Sequence, residues 1–276
     1  MPIYQVVVLA LVQAVTEFLP ISSTAHLFLV PWLFGWGDPG LAFTMAVHAG
    51  TLLAVVLYFF KSWLEFGLAG FGVHYPAKAT AGEVQRSRRL FWYMVAATLP
   101  AAAAGALLEK HVETTFRSPY LMGAMLIAVG LLMWWAEARA KMSRGIEALR
   151  FGDAMLIGAA QALALAPGVS RSGITITAGI FRGLTREAAA RFTFLLSTPI
   201  IAGASAKKLL ELRQGPLAPE MAMAFWVGAA VSAISGYLVI AFLLRYLQTH
   251  TLKIFVYYRI FFGIIILLLA LLETGR

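Results

Sequence analysis

The sequence predicts an all-α polytopic membrane protein with an inverted-topology repeat, made of six transmembrane helices and two re-entrant helical hairpins. Three observations lead there. Of 276 residues, 61% are hydrophobic and 13% charged, with a mean hydropathy of +0.80, a balance that would drive a water-soluble domain of this length into aggregates. Several apolar runs reach the length of about 20 residues that crosses a bilayer core as helix. Two further apolar regions are each interrupted near the middle by Pro and Ser.

Taken in order, residues 2–36 form the first broken region, with halves of about 10 to 17 residues, too short to span separately. They read as a hairpin that dips into the membrane and returns to its own side. The runs 41–60, 90–108 and 118–136 contain no Asp, Glu, Lys or Arg and read as spans. A polar linker, 139–152, leads to the second broken region, 154–181. Three spans follow. Run 188–206 carries Arg191 near one end, 221–244 is free of charge, and 254–272 carries Arg259 about one turn from its start, where a long side chain can snorkel. The chain thus divides into a first repeat, 1–138, and a second, 153–276, within one membrane domain.

The two halves share motifs. "QAVTEFLPISST" from Gln13 matches "QALALAPGVSRS" from Gln161, and Phe43-Thr44 recurs as Phe192-Thr193, at an offset of about 148 residues in both places. Each copy holds one hairpin and three crossings. Three is odd, so the second copy lies upside down relative to the first, an arrangement that brings broken helices together near the midplane.

The charge pattern fits this topology. Lys and Arg concentrate in 61–89, 139–150, 182–191 and 245–259, which makes those stretches cytoplasmic and places both termini on the periplasmic side. Lys110, Arg117, Lys207, Lys208, Arg213 and Arg276 fall on the connections between them. Trp63, Trp92, Trp134 and Trp135 sit near span ends, as interfacial anchors do. No Lys or Arg precedes Lys61, so the start of the chain lacks the charged region of a secretory signal and is expected to stay in the mature protein. The net charge of +9 belongs to this sidedness, and no nucleic-acid partner is expected. The absence of Cys excludes disulfides and thiolate chemistry. Small-residue faces such as Ala101–Ala106 permit close helix contact, within the chain or in a homodimer.

Polar chemistry gathers at the two breaks. Gln13 and Glu17 stand four apart and share a helix face. Pro20 ends that helix, and Ser22 or Ser23 can cap a new one carrying Thr24 and His26. A helix start presents unpaired amides with partial positive charge, a seat for an anion. The second break, "PGVSRSGIT" at 167–175, places Arg171 between Ser170 and Ser172, with Thr175 a turn further on and Gly168 and Gly173 easing backbone approach. A guanidinium at membrane depth calls for an anion, and its fork fits phosphate oxygens. Two readings follow: a phosphate site, or a buried Glu17–Arg171 ion pair that merely joins the hairpins. His48 and the Met residues read as span lining, His74, His111 and His250 as loop residues, and Gly70-Phe71-Gly72 is too short for a nucleotide loop.

The Gln13-x-x-x-Glu17 pattern with the following "FLPISSTAH", and then "PGVSRSGIT", resembles the two signature regions of the undecaprenyl-diphosphate phosphatase family, the bacitracin-resistance proteins of bacterial inner membranes. The resemblance runs through essentially the whole chain. It implies removal of the terminal phosphate of undecaprenyl diphosphate, giving the lipid carrier for peptidoglycan and other wall polymers, at a site open to the periplasm and dependent on a divalent cation, Mg²⁺ or Ca²⁺. Carried over by position, the functional residues are Gln13, Glu17, Ser23, His26, Ser170, Arg171, Ser172 and Thr175. Gln13 stands where an acid is also permitted, so Glu17 is the carboxylate ligand of such an ion and Gln13 a neutral oxygen. On this reading Arg171, Ser170, Ser172, Thr175, Ser22, Thr24 and the helix-start amides hold the diphosphate of a polyprenyl lipid. Ser23 attacks the terminal phosphorus, and His26, three residues on, takes or orients its proton. His26 as nucleophile, or Glu17 activating water, are the alternatives within this chemistry. A transporter or flippase for an anionic or phosphorylated lipid is the competing class, told apart by a Ser23–His26 pairing beside Glu17 that transport would not need.

Overall fold

Apolar helices of two lengths build the protein. The computed structural model describes residues 1–76, 79–115, 118–212 and 219–274; Lys78, Arg117, Arg213 and Arg276 of the charge pattern lie outside them. Six helices are long and apolar enough to cross a membrane: α3 (Gly40–Tyr58), α5 (Ala81–Thr115), α6 (Pro119–Arg139), α9 (Arg186–Leu212), α10 (Pro219–Tyr246) and α11 (Lys253–Thr274). Four shorter ones form two broken pairs, α1 (Ile3–Phe18) with α2 (Ser23–Phe34), and α7 (Phe151–Ala162) with α8 (Arg171–Phe181). At about 1.5 Å per residue, α1 extends about 24 Å and the others about 18 Å or less, short of a hydrocarbon core of about 30 Å.

Polar helix ends are where structure and expectation part. The apolar run from 90 is the inner part of α5, which begins at Ala81 because Thr80 and Glu83 close a capping box. The Glu83 carboxylate accepts from the Thr80 amide at 2.7 Å, and the Glu83 amide donates to the Thr80 hydroxyl at 3.3 Å. His111 therefore lies within α5 and not in a loop, whereas His74 and His250 do lie outside helices. The second broken pair starts at Phe151 because Asp153 accepts from the Arg150 amide at 3.0 Å. The stretch after α3 holds a further helix, α4 (Phe60–Gly70), which buries Phe66, Ala69 and Gly70 against α5.

Long helices pair across the two halves of the chain. α3 packs along α10 and α6 along α11, while α1 lies on α10 and α7 on α5. Backbones approach closely at two of these contacts: a methyl group at Gly50 would overlap the Ala229 carbonyl, and one at Gly158 the Ala97 carbonyl. Phe18, Phe59, Met94, Met133, Ile157, Ile176, Phe192 and Phe194 fill the centre. Trp92, Trp134 and Trp135 expose their rings on the outer surface.

The basic stretches meet in one layer. Asp153 pairs with Arg144 and Arg182, each at 2.7 Å. Arg186 holds Glu137 through two bonds of 2.7 and 2.8 Å, and Glu137 also accepts from the Leu252 amide at 3.1 Å. Arg191 reaches Ser62 at 3.3 Å. The backbone of Arg144 pairs with residues 183–185, so the linker is tied to the start of α9 rather than loose.

Candidate active site

Each short pair breaks at a serine in a rare backbone conformation. Pro20 cannot continue α1, the chain turns through residues 19–22, and α2 starts at Ser23. Ser22 has φ +78° and Ser170 φ +70°; among the described residues they are the only non-glycine positions with positive φ, and they stand at the offset that aligns the two motifs. Such geometry costs roughly 1–3 kcal/mol and persists where the surroundings impose it. The two starts differ in one respect. The Ser170 hydroxyl caps α8 by accepting from the Gly173 amide at 3.1 Å, but the Ser22 hydroxyl does not cap α2, so the first-turn amides of α2 have no capping side chain.

Between these starts lies the polar centre. Arg171, from the second pair, forms an ion pair with Glu17 of the first. Glu17 also accepts from the Ser23 hydroxyl at 2.6 Å and from Gln13 Nε2 at 3.1 Å. A cavity of about 280 Å³ opens here, with Glu17, Ser22, Ser23, Thr24, Ser170 and Arg171 in its wall. The expected ion pair between hairpins is therefore present, and it faces a cavity rather than packed apolar side chains.

Four expected site residues stand behind this wall. Gln13 is fully buried and acts through Glu17. Ser172 donates to the Leu19 carbonyl at 3.1 Å and so ties one break to the other. Thr175 donates back to the Arg171 carbonyl at 2.7 Å and accepts from Thr193 at 3.0 Å, so its hydroxyl secures the helix and is not offered to a ligand.

His26 is the fourth, and it is not the partner of Ser23. Three residues along a helix is a rotation of about 300°, which turns His26 some 60° away from Ser23 and toward α11. Its Nδ1 lies 2.7 Å from the Ser22 carbonyl and its Nε2 2.6 Å from the Tyr258 hydroxyl. A carbonyl only accepts, so Nδ1 carries the hydrogen and Nε2 accepts from Tyr258. With its ring stacked on Phe262 at 4.8 Å, His26 holds the strained Ser22 backbone.

Arg259 differs most from expectation. It does not snorkel: it is wholly buried, and its guanidinium donates to five carbonyls. Nη1 binds Pro20 at 3.0 Å, Nη2 binds Gly168 at 2.9, Val169 at 3.0 and Met125 at 3.3 Å, and Nε binds Leu126 at 3.2 Å. One side chain thus clamps both breaks. The signal was present, since an ionisable residue inside a span marks a function by default. His48 was missed in the same way. It lines the cavity, with Nδ1 2.8 Å from the carbonyl of Thr44, the threonine of the repeated Phe-Thr pair.

A second cavity of about 480 Å³ adjoins the first, sharing Thr24, His48 and Leu165 and walled by Leu27, Phe28, Trp32 and Met122, with Asp38 and Thr44 also in its lining. Among the described residues no three or more His, Asp or Glu side chains cluster as a metal cage. Glu17 offers one carboxylate to the cavity and, from behind it, Gln13 Oε1 offers one buried oxygen with no partner among the described residues. That donor set fits a hard divalent ion that takes most of its oxygens from phosphate.

Fold and site together define a multi-pass helical membrane protein with a polar, ion-paired cavity where two broken helix pairs meet. The chain belongs to the bacitracin resistance protein BacA family, whose model matches residues 6–265. It is 48% identical over 266 residues to the undecaprenyl-diphosphatase of Moorella thermoacetica, covering 96% of this chain and 97% of that one. Its identity to the undecaprenyl-diphosphatase of Pelotomaculum thermopropionicum is 45% over 273 residues, covering 98% and 97%. To that of Myxococcus xanthus it is 45% over 276 residues, covering 100% and 91%.

Proposed function

We propose that this protein removes the terminal phosphate of undecaprenyl diphosphate, and that Ser23 is the nucleophile with Glu17 as its base. The observation that carries the reading is the 2.6 Å bond from the Ser23 hydroxyl to Glu17, in a cavity wall that also holds Arg171. The diphosphate competes with Glu17 for the Arg171 guanidinium. Once Arg171 turns to phosphate oxygens, Glu17 is free to take the serine proton. A bond forms from Ser23 Oγ to the terminal phosphorus as the bond to the bridging oxygen breaks, and the lipid phosphate leaves as a phosphate anion. Water then hydrolyses the phosphoserine. The uncapped amides of α2 stabilise the charge of the transferring group, and the Leu27, Phe28, Trp32 and Met122 side of the second cavity takes the first part of the prenyl chain. Glu17 and Gln13 Oε1 would hold a Mg²⁺ or Ca²⁺ ion, which supplies neutralisation of the diphosphate charge.

The site opens to the periplasm of the bacterial inner membrane on this reading. Support comes from position. Ile200, Ala204 and Ser205 line the cavity, about 20–28 Å along α9 from Arg186 in the basic layer, and that layer is cytoplasmic by the positive-inside rule. The halves are inverted repeats: their broken pairs share motifs, strained serines and reciprocal contacts of α1 with α10 and α7 with α5.

Phosphate release from farnesyl diphosphate by the purified protein in detergent tests the reaction, because micelles offer no second compartment for transport. Ser23→Ala is expected to lose at least about a thousandfold in turnover. Acid quench of the native protein should leave phosphate on Ser23. An acid-labile adduct on His26 would replace this scheme, and absence of any release would remove it.

A further inference from the structure

The cavity wall contains a polar side chain that neither the fold nor the proposed chemistry uses. Gln161, in α7, is 97% buried by its 3% exposure and lines the cavity, yet neither its Nε2 nor its Oε1 has a hydrogen-bond partner among the described residues. Because both atoms are unpartnered, exchanging the two ends of the amide does not satisfy it. A buried carboxamide left this way forfeits its hydration with nothing in return, so it is rare unless a ligand or water completes it.

The first half of the chain shows what the amide lacks. Gln13 occupies the same place in the repeated motif, and its Nε2 donates at 3.1 Å to the carboxylate of Glu17, one helical turn later. One turn after Gln161 the residue is Leu165, which accepts nothing through its side chain. Arg171, Ser22 and Ser23 line the same cavity, so an anion drawn there meets the unpartnered amide.

We infer that Gln161 is a substrate-binding residue whose Nε2–H donates to a non-bridging oxygen of the bound diphosphate, the ligand standing to Gln161 as the Glu17 carboxylate stands to Gln13. This rests on the phosphatase reading for the identity of the anion. It does not rest on that reading for the presence of an oxyanion subsite. The amide holds the diphosphate from α7, whereas the Ser23 nucleophile belongs to α2.

The experiment uses the full-length protein in detergent, with Gln161→Met and Gln161→Glu, and two probes: farnesyl diphosphate for turnover and inorganic pyrophosphate for the melting shift. Methionine keeps the volume and removes the unpaired groups, so the variant should melt no lower than the native protein without ligand. Its KM for farnesyl diphosphate should rise about tenfold or more, and pyrophosphate should raise its melting temperature less than it raises that of the native protein. Glutamate should weaken both probes further by facing the anion with a carboxylate. Native KM and a native pyrophosphate shift in Gln161→Met overturn the inference, as does a fall in melting temperature with unchanged KM, the mark of a purely structural role. A native protein that releases no phosphate but shows a Gln161-dependent pyrophosphate shift leaves the subsite standing and removes the phosphatase reading.

Discussion

Replacing Arg259 tests the architecture most directly, because its one guanidinium holds carbonyls of both breaks and of α6 at once. Of its five carbonyl partners, those of Leu126 and Met125 belong to α6 and keep their helical bonds. The carbonyls of Pro20, Gly168 and Val169 lie in the breaks, where no helix ladder serves them. Arg259→Met leaves those three groups unpaired at about 1–3 kcal/mol each. Partial relaxation brings the total to about 3–5 kcal/mol, the usual cost of removing one partner from a buried charged network. Arg259→Lys keeps the charge, but a single ammonium has three donors and no fork, so it should fall between. Thermal melting in detergent reads stability and phosphate release reads the site. The expected result is a lower melting temperature for Met than for Lys, with turnover down about a hundredfold or more in Met because the Glu17–Arg171 pair spans the two elements released. Native melting and native turnover in Arg259→Met would refute the clamp.

Arg171→Lys preserves the charge beside Glu17 but loses bidentate contact with phosphate, so phosphate release should fall about a hundredfold with little change in melting temperature; turnover close to native would mean that the guanidinium serves only the ion pair. Tyr258→Phe removes the donor to His26 Nε2 while keeping the stacked rings. If His26 only positions the Ser22 backbone, turnover should drop by about three- to tenfold with no new acid-labile phosphohistidine; loss as severe as that of Ser23→Ala would return His26 to the chemistry.

Features set by local pattern were legible. Apolar run length located the spans, and proline with serine located the breaks, because a bilayer and a helix end impose strict local demands. Glu17, Ser23 and Arg171 could be assembled because the shared motif implied that two breaks meet. Contacts chosen by long-range packing were not legible. Whether Arg259 snorkels or turns inward depends on five carbonyls, all of them 90 or more residues away in the chain, and no local pattern encodes them. His26 shows the limit of helical spacing: three residues along fixed its angle relative to Ser23, but Tyr258 and Phe262 decided what it meets. Gln161 was visible only as a repeat match, and its meaning required knowing that the Leu165 position supplies no acceptor.

The same packing bears on the choice between enzyme and carrier. A carrier must expose its site alternately to both faces, so the path from the cavity to the basic layer would have to open. That path is closed twice over. Phe18 meets Phe194 edge to face at 5.5 Å, and Phe59 joins them at 6.5 Å, within a buried cluster that also contains Met94, Met133 and Ile176. Beyond it, Asp153 and Glu137 bind Arg144, Arg182 and Arg186 between the segments that would have to part. Opening the route would expose aromatic surface at about 25 cal/mol per Å² and break several ion pairs at once. Hydrolysis requires none of this: substrate and products can share one entrance, and the only movement demanded is of the Arg171 guanidinium, which is 19% exposed where its Glu17 partner is 4%. Arg259, fully buried among its five carbonyls, holds the frame in which the proposed exchange of carboxylate for phosphate at Arg171 would take place.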